Sequence, residues 1–166
     1  MNPKEIVRRG YQEIAKEYHE RRALRQEVWN RYLDRHRKFM PRRGRVLDLG
    51  CGGGLPVSKY FQDHGYQVTG IDISPEMVDL ARASVPTAEF KVMDMSDLEF
   101  EDHSFDIIVS FYTIIHVPRD EHERTLSRLF RMPRPGGSIL ISFGVEDREQ
   151  TFESQLAWRG DVLVAF

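Results

Sequence analysis

The sequence contains a single cysteine, no long apolar run and almost no net charge, and each shortage excludes a class of protein. Cys51 has no cysteine partner within the chain, which excludes a small secreted domain held together by disulfides. The charged segment 1–20 lacks the apolar core of a secretory signal, and no apolar run approaches the roughly 20 residues of a membrane helix. We therefore predict a cytoplasmic protein without a membrane partner.

The 166 residues predict a single globular domain, because 40% are hydrophobic and 30% are charged. The net charge of −2 conceals two parts of opposite sign. Residues 1–45 hold 14 basic and 6 acidic side chains, a net +8, whereas residues 46–166 hold 10 basic and 20 acidic side chains, a net −10. Clustered arginine can contact nucleic acid, but here basic and acidic residues alternate along helical stretches. A solvated helix surface is the simpler interpretation.

Apolar residues recur at steps of three and four in the first forty residues, which predicts two amphipathic helices before Pro41. Short apolar runs then alternate with helical stretches. The predicted strands are 46–49, 67–71, 89–92, 105–111 and 138–143. The predicted helices between them are 55–64, a helix capped by Ser74 with Pro75 at its first position, and 119–131.

Strands that alternate with helices predict a doubly wound α/β domain, with a mainly parallel, Rossmann-like sheet and helices on both faces. Residues 1–40 are expected to form a helical lid, 45–143 the core, and 144–166 an incomplete C-terminal extension. Ligands bind such sheets beyond the carboxyl ends of the strands, where the strand order reverses.

The segment 46–54 reads Val-Leu-Asp-Leu-Gly-Cys-Gly-Gly-Gly, an apolar strand that runs directly into a glycine turn. Glycine allows a sharp turn and the close approach of a ligand. The spacing is not that of a dinucleotide fingerprint or a phosphate-binding P-loop. Because Asp48 lies two residues before Gly50, the pattern suits a ligand that bears an ammonium group rather than a pyrophosphate.

This segment resembles the first motif of class I S-adenosylmethionine-dependent methyltransferases, and later landmarks follow in the same order. Asp72 ends the second predicted strand, where the resemblance implies an acid that binds the ribose hydroxyls. Asp94 resembles the family's residue near the adenine amino group, with a solvated acidic loop as the alternative. The segments 105–110 and 135–137 resemble the fourth strand and the turn that enters the fifth. The resemblance implies S-adenosylmethionine as cofactor. No cluster of histidine and cysteine has metal-ligand spacing, so no metal ion is expected.

Tyr11 and Tyr18 are seven residues apart, which places them on one helical face. Their segment resembles the helix that small-molecule methyltransferases fold over the methionine end of the cofactor, although ordinary aromatic packing is an alternative. Arg22 is a candidate partner for the methionine carboxylate. The residues expected to bind the cofactor are Tyr11, Tyr18, Asp48, Gly50, Cys51, Gly52, Asp72, Ile73, Met77, Asp94, Met95 and Ser110.

His116 is the candidate catalytic residue, because an imidazole titrates near neutrality and can act as a general base. A half-buried structural histidine is the alternative, since positioning alone can accelerate methyl transfer to an atom that is already nucleophilic. After the fourth strand the chain reads Ser-Phe-Tyr-Thr over 110–113, not the Asn/Asp-Pro-Pro-Tyr/Phe of related enzymes that methylate nucleobase amino groups. Nucleic acid is therefore a disfavoured acceptor.

Together these features predict an S-adenosylmethionine-dependent methyltransferase that acts on a small-molecule acceptor. Two alternatives are a non-catalytic cofactor-binding or regulatory module, and an RNA or protein methyltransferase that uses the basic N-terminal helices.

The 23 residues after Phe143 are few for the helix and antiparallel strand pair that the family places there. The sequence predicts that this strand pair is missing, with a short helix over 151–158 and a short strand over 162–166. The open edge of 138–143 is then expected to be covered by 162–166 or to pair with a second copy as a homodimer. The alternative is that the chain is a fragment of a longer protein.

Overall fold

The computed structural model describes residues 2–142 and, as backbone only, two further strands at 156–159 and 162–165. The strands are β1 (Arg45–Leu49), β2 (Gln67–Asp72), β3 (Glu89–Val92), β4 (Phe105–Ser110), β5 (Pro133–Ile141), β6 (Leu156–Arg159) and β7 (Val162–Ala165). The helices are α1 (Pro3–Ala23), α2 (Gln26–Arg37), α3 (Val57–Asp63), α4 (Pro75–Ser84) and α5 (His122–Leu129), with 3₁₀ turns at Ile114–His116 and Arg119–Glu121. None of these helices is long and apolar enough to cross a membrane.

The sheet has the strand order β3-β2-β1-β4-β5-β7-β6, and β1 to β5 are parallel to their neighbours among them. This arrangement confirms the predicted α/β fold. Within the sheet, the chain forms β1 first and then adds β2 and β3 on one side of it. It then returns to form β4 on the other side of β1. The strand order therefore reverses between β1 and β4, and the crevice at their carboxyl ends is where such sheets bind ligands.

Both faces of β1 are buried, which explains why Val46, Leu47 and Leu49 are all apolar although they alternate in direction. Val46 packs with Phe61 of α3 and Leu33 of α2 on one face. Leu47 and Leu49 pack with Leu129 of α5 on the other. Helices thus cover the sheet on both sides, as predicted for a doubly wound domain.

Helix α4 begins as the sequence predicts, because the Ser74 side chain accepts a hydrogen bond from the Met77 N–H at 3.3 Å and Pro75 occupies the first turn. The predicted helix over 119–131 is instead split into a 3₁₀ turn and α5. The Glu121 N–H donates a hydrogen bond to the Pro118 carbonyl, three residues earlier in the chain. The first turn is therefore a 3₁₀ turn, which is tighter than an α-helical one.

The prediction that a C-terminal strand pair is missing is wrong. Strands β6 and β7 form an antiparallel pair, and β7 lies beside β5 with Ser138 opposite Leu163. Residues 156–158, expected in a helix, belong to β6, whereas 151–155 lie outside the described residues. Only two residues separate β6 from β7, and antiparallel strands need no connecting helix. Of the two expectations for the edge of β5, the structure shows the first, because β7 of the same chain pairs with that edge.

Candidate active site

A cavity lies at the carboxyl ends of β1, β2 and β4, and α1 passes over it. The cavity encloses about 680 Å³, including the part open to solvent. It is lined by Lys4, Val7, Tyr11, Tyr18, Gly50, Gly52, Asp72, Ile73, Met93, Asp94, Met95, Phe111, Tyr112, Thr113, His116 and Val117. Nine of the thirteen predicted site residues are in this set, so the structure brings together segments that are separated by more than 100 residues.

The glycine turn after β1 is fixed by two hydrogen bonds to the end of β2. The N–H groups of Gly50 and Cys51 donate to the Ile71 carbonyl at 2.8 and 2.9 Å. Gly50 and Gly52 have φ of 69° and 54°, in the left-handed region that favours glycine. A Cβ on Gly52 would meet nothing nearer than Tyr18, at 3.9 Å. The backbone at Gly52 is therefore open to a ligand in the cavity.

The Asp72 carboxylate lies at the end of β2, against this turn. Its Oδ2 accepts a hydrogen bond from the Gly52 N–H and its Oδ1 accepts one from the Ser74 N–H, each at 2.9 Å. Burial raises the pKa of Asp72 above its ordinary value, although these N–H donors oppose the rise. Each carboxylate oxygen retains a second acceptor lone pair. The residue can therefore accept hydrogen bonds from two neighbouring hydroxyl groups of a ligand.

Asp94 is tied to the first turn of α1. Lys4 Nζ lies 3.0 Å from Asp94 Oδ2 and 2.6 Å from Glu121 Oε2. Burial alone would raise the pKa of Asp94, but hydrogen bonds from Ser96 and Lys4 outweigh it, and the pKa lies below the usual value. Asp94 thus lines the cavity as an ionised group and does not belong to a freely solvated loop.

Two aromatic side chains of α1 reach the cavity from above. The Tyr11 and Tyr18 rings meet edge to face, with centroids 5.4 Å apart. The Tyr11 hydroxyl lies 3.0 Å from His116 Nε2. Burial raises the pKa of Tyr11 to about 12 and lowers the pKa of His116, so both groups are neutral at pH 7. In the Nδ1-protonated tautomer of His116, the Tyr11 hydroxyl donates to Nε2.

Four of the predicted cofactor-binding residues do not line the cavity: Asp48, Cys51, Met77 and Ser110. Side chains alternate along a strand, so Asp48 shares the face of Val46 and points toward α3. There its Oδ2 accepts a hydrogen bond from the Ser58 hydroxyl at 2.6 Å. Cys51 packs with Val78 and Phe90 in a separate apolar cluster, and burial raises its thiol pKa well above the usual value.

Lys4 and Val7 also line the cavity but were not among the predicted residues. They lie seven and four residues before Tyr11, so helical spacing could have placed them on the same face of α1. No spacing rule pairs residue 4 with residue 94, because their contact depends on where α1 crosses the assembled sheet. Thr113 follows the fourth predicted strand, and its position beside Gly50 also depends on the fold. Arg22 lies outside this cavity, with its guanidinium carbon 4.7 Å from the centre of the Trp29 ring.

A parallel sheet with a glycine turn after β1 and a buried carboxylate at the end of β2, both facing one cavity, defines a nucleoside-binding α/β protein. Residues 46–137 match the family model for a methyltransferase domain, which is more than half of the chain. The chain belongs to this family, the class I S-adenosylmethionine-dependent methyltransferases.

Curated relatives and solved structures agree with this assignment. A phosphatidylethanolamine N-methyltransferase from Cereibacter sphaeroides is 36% identical over 139 residues, which are 74% of this chain and 66% of that protein. A ubiquinone biosynthesis O-methyltransferase from Xanthomonas oryzae is 37% identical over 103 residues, 59% of this chain and 42% of that protein. A TehB-like methyltransferase structure from Corynebacterium glutamicum matches with a TM-score of 0.66 at 27% identity, over 83% of this chain and 76% of that one. The chain spans 66% or less of the two curated relatives.

The cavity fits S-adenosylmethionine, the cofactor of this family. Gly52 leaves room for close approach of a ligand, and Asp72 offers free acceptor lone pairs where a ribose would present two hydroxyls. The apolar side chains of Ile73 and Met95 lie in the same cavity and suit a flat adenine ring.

Proposed function

We propose that this chain transfers a methyl group from S-adenosylmethionine to a small-molecule acceptor. The observation that carries the proposal is one cavity that joins Asp72 and Gly52, suited to the cofactor, with the hydrogen-bonded pair Tyr11 and His116. A small acceptor is favoured because α1 passes directly over the site.

S-adenosylmethionine, when bound, supplies an electrophilic methyl group on a sulfonium. The residues of this chain would hold and enclose the cofactor. Asp72 would accept hydrogen bonds from the ribose hydroxyls, and Gly52 would permit close approach of the ligand. Tyr18 would cover the methionine end. Exclusion of water by α1 strengthens the electrostatic interactions inside the cavity.

The Tyr11 and His116 pair can accept the proton that the acceptor loses. The acceptor's O–H or N–H passes its proton to the Tyr11 oxygen while the Tyr11 hydroxyl passes its own proton to His116 Nε2. His116 becomes an imidazolium, and the acceptor's electron pair forms the new bond to the methyl carbon as the methyl–sulfur bond breaks. The electron pair of that bond stays on sulfur, so the leaving group is the neutral thioether S-adenosylhomocysteine. The chain thereby deprotonates the acceptor without a free hydroxide ion.

Asp72→Asn is expected to weaken binding of S-adenosylhomocysteine, the demethylated product, roughly ten- to a hundredfold, because a charged acceptor of two hydroxyls is lost. Isothermal titration calorimetry measures the change. Asp79→Asn is the matched control, since Asp79 is an exposed residue of α4 that pairs with Arg82 and does not line the cavity. Unchanged affinity in a folded Asp72→Asn variant removes Asp72 from the cofactor site.

His116→Gln is expected to lower kcat about a hundredfold or more and to remove the rise of kcat with pH that a general base produces. Burial lowers the pKa of His116, so the wild-type rise should have its midpoint below pH 6.5. The measurement is label transfer from methyl-labelled S-adenosylmethionine to a panel of phenols, carboxylic acids and amines. His64→Gln serves as the control, because His64 directly follows α3 and lies outside the cavity. If the His116→Gln variant keeps the wild-type dependence of kcat on pH, His116 has a structural role.

The same panel separates the two alternatives. A cofactor-binding module would bind S-adenosylhomocysteine and methylate none of the panel compounds. An RNA methyltransferase would bind RNA with an affinity that falls steeply as salt rises, because its basic side chains contact phosphates.

A further inference from the structure

A second concave site adjoins the cavity, and the proposed function does not use it. It is a groove between α2, the end of α1 and the ends of β4 and β5, and it encloses about 1,120 Å³ including the part open to solvent. Phe111 and Tyr112 line both the groove and the cavity, so the two spaces meet at these rings.

Aromatic rings form one wall of the groove. Trp29 meets Phe111 with ring centroids 4.8 Å apart, and it meets Tyr112 at 6.3 Å. Tyr32 packs edge to face on Phe111 at 5.8 Å. These contacts hold a continuous apolar surface, which suits a flat apolar body that stacks on it.

Positive charge lies beside the aromatic wall. Arg22, Arg25 and Arg35 line the groove, and among the described residues that line it none is acidic. None of the three arginines has a carboxylate within 4.0 Å in the part of the chain that the structure describes. A guanidinium group binds carboxylate or phosphate through two parallel hydrogen bonds, and these three are available to a ligand.

The junction between groove and cavity is held in an unusual backbone conformation. Tyr112 has φ of 58°, which costs about 1 kcal/mol or more in a residue other than glycine. Its N–H donates to the Ser142 hydroxyl at 2.7 Å, and this bond fixes the turn after β4. The strained turn places the Tyr112 side chain at the point where a ligand in the groove would enter the cavity.

We propose that this groove binds the methyl acceptor, and that the acceptor is a compound with a flat apolar body and an anionic group, carboxylate or phosphate. Arg25 and Arg35 bind the anion, the aromatic wall stacks on the apolar body, and the nucleophilic atom reaches the cavity past Tyr112. The inference rests on the proposed function, because it assigns the substrate class of the same site.

The test uses three probes that share one ring system: 1-naphthyl phosphate, 1-naphthoate and neutral 1-naphthol. Calorimetric titrations are made with the full chain, with and without saturating S-adenosylhomocysteine. Both anions are expected to bind at least tenfold more tightly than 1-naphthol, and the stronger of the two identifies the anionic group. In an Arg25→Gln/Arg35→Gln variant this preference is expected to vanish while 1-naphthol binds as before. Arg31→Gln, which changes an exposed arginine of α2 outside the groove, should keep the preference.

Equal affinity for 1-naphthol and the anions, or no binding by any probe below millimolar concentration, overturns the inference. A single-stranded RNA that displaces 1-naphthyl phosphate and binds more tightly also overturns it, in favour of a nucleic-acid surface. Binding of S-adenosylhomocysteine separates this failure from failure of the proposed function. Probe binding without S-adenosylhomocysteine binding leaves the groove as an anion site and refutes the cofactor assignment.

Discussion

Gly50→Ala is expected to lower the free energy of unfolding by roughly 2 to 5 kcal/mol, the sum of a left-handed backbone penalty and an overpacked contact. Gly50 has φ of 69°, and a Cβ there would lie 2.3 Å from Thr113 Oγ1 and 2.7 Å from Thr113 Cβ. Because the Thr113 Cβ is attached directly to the backbone, a rotamer change cannot relieve the clash. The segment after β4 must move away from the glycine turn, and binding of S-adenosylhomocysteine should be lost as well.

Gly65→Ala provides the matched control for this prediction. Gly65 has φ of 80°, yet a Cβ there would meet nothing within 4 Å. Its substitution should cost only the backbone penalty, about 1 to 2 kcal/mol. Urea unfolding of the three proteins gives the free energies. Equal losses in the two variants would show that Thr113 does not crowd Gly50.

Ionisation of the buried Asp48 side chain is expected to lower the free energy of unfolding by about 3 kcal/mol as pH rises, and Asp48→Asn is expected to abolish this loss. Burial raises the pKa of Asp48 from 3.8 to about 6 in the folded chain. Between these two values the folded state retains a proton that the unfolded state has released. The free energy of unfolding therefore falls as pH rises from about 4 to about 6, and the loss is complete above pH 6. Asparagine keeps an acceptor for the Ser58 hydroxyl and cannot ionise.

The measurement is the difference in unfolding free energy between Asp48→Asn and wild type, from urea titrations at several pH values from 4 to 7.5. This difference should grow in favour of the variant by about 3 kcal/mol across that range. Asp63→Asn, a surface residue of α3 paired with Lys59, should show no such trend. A pH-independent difference would mean that Asp48 ionises in the folded state as easily as in the unfolded one.

Features that follow from local order were predicted from the sequence. The glycine turn, the acid that ends β2 and the cap at Ser74 each depend on a few consecutive residues and on the strand or helix they terminate. The seven-residue spacing of Tyr11 and Tyr18 likewise fixes a shared helical face, which the structure directs to the cavity. Their roles toward a cofactor remain predictions.

Features that depend on how distant elements meet were not predicted. The contact of Lys4 with Asp94 exists only because α1 crosses the sheet at one place, and no spacing encodes it. The β6 strand was missed for a related reason, since residues 156–158 were expected in a helix and only their pairing with β7 makes them a strand. The β7 strand and its pairing with β5 were one of the two stated expectations. Asp48 is a different case. Strand alternation from Val46 already indicates that its side chain points toward α3 and away from the cavity.

The central position of β1 has a consequence for synthesis of the chain. Val46 pairs with Val68 on one side and with Ile107 on the other, so both neighbours of the first strand are made after it. At a translation rate of roughly 5 to 20 residues per second, the edge of β1 that pairs with β4 stays unpaired for about 3 to 12 s. An apolar strand with free N–H and C=O groups is exposed to other chains during that time. The arrangement that places the ligand crevice at the centre of the sheet thus also leaves one edge of the first strand unpaired until β4 is made.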